Sequence, residues 1–87
     1  MNSDEILQRV SAIIRDVTLS DSVTITRLTK AMDVRGWDSL SHTIILLHLE
    51  DDFSVRFPME RVLKARTVGD LVDLIAELRN EPVSPTP

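Results

Sequence analysis

Three side chains in the stretch "GWDSLSH" could do chemistry: the hydroxyl of Ser39, the carboxylate of Asp38 beside it, and the imidazole of His42 three residues on. The residue types are those of a nucleophilic triad. A triad, however, needs an acid aligned on the far imidazole nitrogen and a separate oxyanion hole, and neighbouring positions at one helix start supply neither. No catalytic residue is therefore assigned, and the chain is expected not to be an enzyme. His42 falls toward the side of Ile45 and Leu49, as a partly buried structural histidine would. His48 lies six residues further, about 240° around a helix, so the two histidines make no metal pair. Cysteine is absent, which excludes disulfides, thiolate metal sites and a cysteine nucleophile.

What remains is a hydroxyl in a particular place. Asp is a favoured N-cap and Asp38 stands immediately before a long apolar run, so Ser39 is expected at the first helical position with its oxygen facing out. Backbone N–H groups and the positive end of the helix dipole converge there, and a phosphodiester on Ser39 would gain roughly 0.3–1 kcal/mol from them. Gly36 allows a tight turn into the helix, Trp37 can bury its ring to set the angle of approach, and Leu40 would be an apolar contact beside the oxygen. Ser41 lies about 200° around the helix from Ser39 and should not substitute for it.

The elements that must hold this hydroxyl read as helices. Ile6, Val10, Ile13, Ile14 and Val17 recur at helical spacing, predicting helix one over residues 4–17, with Asn2 or Ser3 as cap and Asp4 and Glu5 in the first turn. Residues 19–38 show no such stripe. "SVTITRL" alternates like a strand, but one strand has nothing to pair with, so we expect a long loop pinned by Val23, Ile25 and Leu28. Residues 39–53 contain no Gly or Pro and are apolar nearly all round, which predicts helix two and puts it at the centre of the fold. On that helix Ile45, Leu46, Leu49 and Phe53 share one side, while Leu40, Ile44 and Leu47 share nearly the opposite one. One stripe makes core and the other wants a partner. Pro58 opens a short helix, "PMERVLKA", with Met59, Val62 and Leu63 on its apolar side. Thr67 and Asp70 read as a capping box ahead of the last helix, striped by Val68, Leu71, Val72, Ile75 and Leu78. The fold class is all-α: a small four-helix bundle of three long helices and one short, with a long loop between the first two.

Composition limits the company such a bundle keeps. Of the 87 residues, 43% are hydrophobic and 28% charged, enough for one autonomously folding domain of a size that buries about 60–65% of its unfolded surface. The net charge of -4 argues against nucleic-acid binding, which needs clustered Lys and Arg. The start, "MNSDEILQRV", has neither the basic nor the apolar region of a secretory signal, and no run approaches the roughly 18 apolar residues of a membrane span. A cytoplasmic monomer without membrane contact is expected. Three of the four prolines fall in "EPVSPTP", so the folded domain should occupy residues 1–80 and residues 81–87 should be a disordered tail.

Residues 36–57 followed by "TVGDLVDLI" resemble the acyl carrier protein family, which also includes aminoacyl and peptidyl carriers. The resemblance extends over about residues 3–79, with "WDSL", "LEDDF" and "TVGDL" as its specific parts. It implies that Ser39 carries 4′-phosphopantetheine, transferred from coenzyme A by a phosphopantetheinyl transferase using Mg²⁺, with Asp38 as the acid met in that encounter. The thiol missing from the sequence would then come from the cofactor, tethering acyl or aminoacyl groups as thioesters. Partners implied are the transferase, an acyl- or aminoacyl-loading ligase and downstream biosynthetic enzymes. Where the commonest fatty-acid carriers have acids along helix two, this chain has Ser41, Thr43 and Ile44, with Arg35 upstream; Glu50, Asp51 and Asp52 sit at the far end. That departure points to specialised metabolism rather than primary fatty-acid synthesis.

Leu40, Ile44 and Leu47 are expected to form an exposed apolar patch by which partner enzymes dock against helix two. Ile45, Leu46, Leu49, Val68 and Leu71 could line a space that admits cargo if residues 29–34 shift. The alternative reading is a helical interaction module that uses the same patch and never carries a cofactor.

Overall fold

The computed structural model describes residues 2–80, and the expected tail at 81–87 lies outside them. Four α-helices follow in order: α1 (Ser3–Thr18), α2 (Ser39–Phe53), α3 (Met59–Lys64) and α4 (Val68–Asn80). No strand occurs among the described residues, and a single 3₁₀ turn, Ala31–Asp33, interrupts the long loop.

Local chemistry sets the helix ends. Asn2 caps α1 in a reciprocal box: its side chain accepts from Glu5 N–H at 2.9 Å, and the Glu5 carboxylate accepts from Asn2 N–H at 3.0 Å. At α4, Asp70 N–H donates to Thr67 Oγ1 at 3.1 Å, while the Asp70 carboxylate accepts from the N–H groups of Thr67 and Arg66. That is the box expected from Thr67 and Asp70, with a short acid in the usual glutamate position. Leu19 and Ser54 close α1 and α2 in the left-handed conformation.

Ile6, Val10 and Ile14 of α1 meet Ile45, Leu49 and Phe53 of α2, and Val68, Val72 and Ile75 of α4, in one core; α3 buries nothing fully. The helix in the middle is α1, which packs against both α2 and α4, rather than α2 as its composition suggested. Apolar content around a helix says how much surface wants covering. It does not say which neighbours the loops allow, and α2 keeps Leu40 and Leu47 exposed at 71% and 59%.

The loop of residues 19–38 is fastened more by polar groups than by the three apolar pins expected of it. Ile25 is buried and Val23 half-buried, but Leu28 is 81% exposed and Val34 enters the core instead. Arg15 Nε donates to Val23 O at 2.9 Å. Two loop carbonyls then cap the next layer: Val68 N–H donates to Thr29 O and Gly69 N–H to Arg27 O, both at 2.8 Å. The loop thus occupies donors that the start of α4 would otherwise leave unpaired. An Arg27–Asp73 ion pair, in which Arg27 Nη2 meets both carboxylate oxygens, closes the same contact.

Gly69 shows how tight this docking is. A Cβ there would lie 2.8 Å from Arg27 O and 3.0 Å from Arg27 Cβ. Helix propensity alone favours Gly69→Ala by about 1 kcal/mol. Overpacking against a backbone atom costs about 1–3 kcal/mol, so the net expectation is a loss near 1 kcal/mol by urea denaturation. A stabilised variant would mean that the loop does not sit on α4 as described.

Candidate functional site

The site is the turn into α2. Ser20 Oγ donates to Arg35 O at 2.9 Å, bringing the loop back against the end of α1. Gly36 follows at φ +87°, where a Cβ would stand 2.9 Å from Thr18 O, so both conformation and space require glycine. Trp37 is half-buried against the core, as its expected orienting role requires.

Asp38 caps α2, its Oδ1 accepting from Ser41 N–H at 2.9 Å. That backbone donor, with further help from the Ser41 side chain, holds the exposed Asp38 carboxyl below the usual carboxylate range. It is ionised at neutral pH beside the next residue. Ser39 is the first helical residue and is exposed; its carbonyl accepts from Thr43 Oγ1 at 3.2 Å. Ser39 borders an open groove of about 440 Å³ lined also by Ala31, Met32, Trp37, Asp38 and His42. Ser39 stands at the N-terminal, positive end of the α2 dipole, a setting suited to a phosphodiester.

His42 does not engage Ser39. Its Nδ1 accepts from Trp37 Nε1 at 3.0 Å, with the rings stacked at 5.9 Å between centroids and 27° between planes. Burial pushes its pKa below the ordinary value. From the sequence both rings are expected as orienting or structural groups, unpaired with each other. The signal was present: residue 37 precedes the cap, and His42 is in the first full turn, where a side chain points back toward the helix start.

Leu40 and Leu47 are exposed and Ile44 half-buried, so the stripe opposite the core is open along most of its length. Beside it runs a groove of about 480 Å³ between α2 and α3, lined chiefly by Leu46, Leu47, Phe57, Met59, Val62 and Leu63. The five residues considered for sheltering cargo do not share one space. Ile45 and Leu49 are packed at 0% exposure, Leu46 faces the α2–α3 groove, and Val68 and Leu71 border a separate hollow of about 60 Å³ near Trp37. The acids at the end of α2 are partly structural. Glu50 accepts from Phe57 N–H at 2.8 Å, and Asp52 pairs with Arg9 of α1 at 2.6 Å. Among the described residues no three His, Cys, Asp or Glu side chains cluster as a metal site, and no helix is long and apolar enough to cross a membrane.

Comparison with known proteins places these features in a family context. The family profile described as "Phosphopantetheine attachment site" matches residues 8–75, a span that includes all of α2. An acyl carrier protein of Thermosynechococcus vestitus is 34% identical over 76 residues, covering 86% of this chain and 93% of that one. A meromycolate extension acyl carrier protein of Mycobacterium leprae is 35% identical over 81 residues, covering 93% of this chain and 70% of its own. The solution NMR structure of a holo acyl carrier protein from Geobacter metallireducens superposes with a TM-score of 0.80 at 35% identity, over 88% of each chain.

Proposed function

We infer that Ser39 Oγ is the attachment point of 4′-phosphopantetheine, because this chain belongs to the acyl carrier protein family and presents that hydroxyl, exposed, at the first position of α2. The single observation that carries the assignment is this exposed hydroxyl at a helix start, beside an ionised cap and an open groove. The bound group supplies the thiol that a cysteine-free chain lacks, and cargo rides on it as a thioester.

The chain's own residues present and orient. Asp38 holds the first turn through Ser41 N–H and keeps a charge at the surface, where a Mg²⁺-dependent phosphopantetheinyl transferase would meet it. Gly36 and Trp37 fix the direction from which the loop reaches Ser39. Leu40, Ile44 and Leu47 form the docking face for the transferase, for a loading ligase and for downstream enzymes. Among acyl, aminoacyl and peptidyl cargo, the names of the relatives favour acyl. The finer reading is a cytoplasmic monomer serving specialised metabolism rather than primary fatty-acid synthesis. Its support is the α2 face itself, where Thr43 is exposed and uncharged, Leu47 is exposed and Arg35 stands upstream. Partners would therefore bring an apolar rather than a strongly basic surface.

The test is direct. Incubated with coenzyme A, Mg²⁺ and a permissive transferase, the protein should gain one phosphopantetheinyl unit by intact mass and one titratable thiol where it had none. A protein that stays bare on both readouts is the cofactor-free interaction module instead. Docking has its own test. Leu47 is 59% exposed, so Leu47→Glu should leave the circular dichroism spectrum unchanged. If it is a central contact, worth about 2 kcal/mol, kcat/KM for modification should fall about 30-fold. An unchanged rate removes Leu47 from the docking face.

A further inference from the structure

His42 borders three hollows at once: the α2–α3 groove, the open groove at Ser39, and the hollow of about 60 Å³ that reaches Val68 and Leu71. Trp37 and Ala31 line the last two as well, so both hollows share Ala31, Trp37 and His42 in their linings. The inner hollow is the smallest of the three. One side-chain hydrogen bond joins indole and imidazole, from Trp37 Nε1 to His42 Nδ1 at 3.0 Å. An indole N–H can only donate, and a protonated imidazole has two donors and no acceptor. The bond therefore exists only while His42 is neutral, with its proton on Nε2.

We propose that the Trp37–His42 pair is a proton-operated latch: neutral His42 holds the indole between the groove at Ser39 and the inner hollow beside α4, and proton uptake releases it and joins the two spaces. Half-burial keeps His42 below its ordinary value of 6.5, so the closed form is the resting state at neutral pH and opening belongs to mild acidification. The sign agrees with linkage: stability is complete above the unfolded histidine's pKa and is lost as pH falls through the lowered, folded one. Three charged groups face these hollows. Asp38 stands at the outer groove, Glu50 in the α2–α3 groove, and Arg66, from the link between α3 and α4, across the inner hollow. The two carboxylates are engaged by the N–H groups of Ser41 and Phe57, and Arg66 opposes the imidazolium. The latch itself is independent of what Ser39 carries. Its bearing on the arm, which would find a deeper space at low pH, rests on the assignment of Ser39 above.

Trp37 is the only tryptophan, so fluorescence and the single indole N–H resonance of the unmodified full chain report on the latch directly. Between about pH 7.5 and about pH 5, acrylamide quenching should rise and the indole resonance should shift, with one midpoint below the ordinary histidine value and no loss of helical circular dichroism. His42→Gln retains an acceptor oxygen and cannot titrate, so the step should vanish with quenching low throughout. His48→Gln should keep the step. A flat wild-type titration, a step that survives in His42→Gln or disappears in His48→Gln, or helix loss at the same midpoint would each overturn the latch. No transferase enters the experiment, so its failure leaves the Ser39 assignment standing, and failure to modify Ser39 leaves the latch standing.

Discussion

Ser39→Ala should remain at its unmodified mass, and without a thiol, under conditions in which the wild-type protein is completely converted, whereas Ser41→Ala should be converted like wild type. The loss is total because the substitution removes the only atom to which the group is bonded. The structure also says why the variant will still fold. Ser39 is exposed, and its bond with Thr43 uses the carbonyl, which alanine keeps. The cap comes from Asp38 through Ser41 N–H, and alanine is a better helix former than serine. An unmodified Ser39→Ala with wild-type melting behaviour therefore isolates the hydroxyl. Ser41 is half-buried and around the helix from the opening, so conversion of Ser39→Ala at Ser41 would break the geometric argument as well as the assignment.

Phe53→Ala should be the most costly single change in the fold. The ring is 1% exposed at the end of α2, within the core shared by α1, α2 and α4. Truncating a buried Phe costs about 3–5 kcal/mol, against a total near 5–15 kcal/mol for a domain, and should lower Tm by on the order of 20 °C. Polar ties from both neighbours converge on the same residue. The Arg9 guanidinium lies 4.9 Å from the ring centroid, adding about 0.5–1 kcal/mol at a partly exposed site, and Arg79 Nη1 donates to Phe53 O at 2.9 Å. Phe53→Leu keeps most of the apolar volume and the backbone acceptor, so it should cost no more than about 1.5 kcal/mol. Equal melting of the two variants would mean that the ring is not packed as described. Because the site lies at the opposite end of α2, Phe53→Leu should still be modified at Ser39.

The limits of helices, caps and the position of Ser39 were legible because they are local. Asn2 with Glu5, Asp38 with Ser41, and Thr67 with Asp70 are pairs three residues apart, and such pairs form wherever the helix forms. The apolar spacing of α1 and α4 likewise told which of their faces would be covered. Leu28 and Val34 mark where this reasoning ends. Both are apolar residues in one loop, and periodicity gave no ground for choosing between them, yet one is exposed and the other buried.

Sequence alone determined a cysteine-free helical chain with a capped serine at the start of an apolar helix, since composition and short-range spacing act through the backbone itself. Only the tertiary structure decided that α1 is the helix in the middle and that loop carbonyls of Arg27 and Thr29 seat the start of α4. It also decided that Glu50 and Asp52 are spent on Phe57 and Arg9. The reason is common to all three. Each depends on which segments the chain brings together in space, and a pattern confined to one segment carries no record of its neighbours.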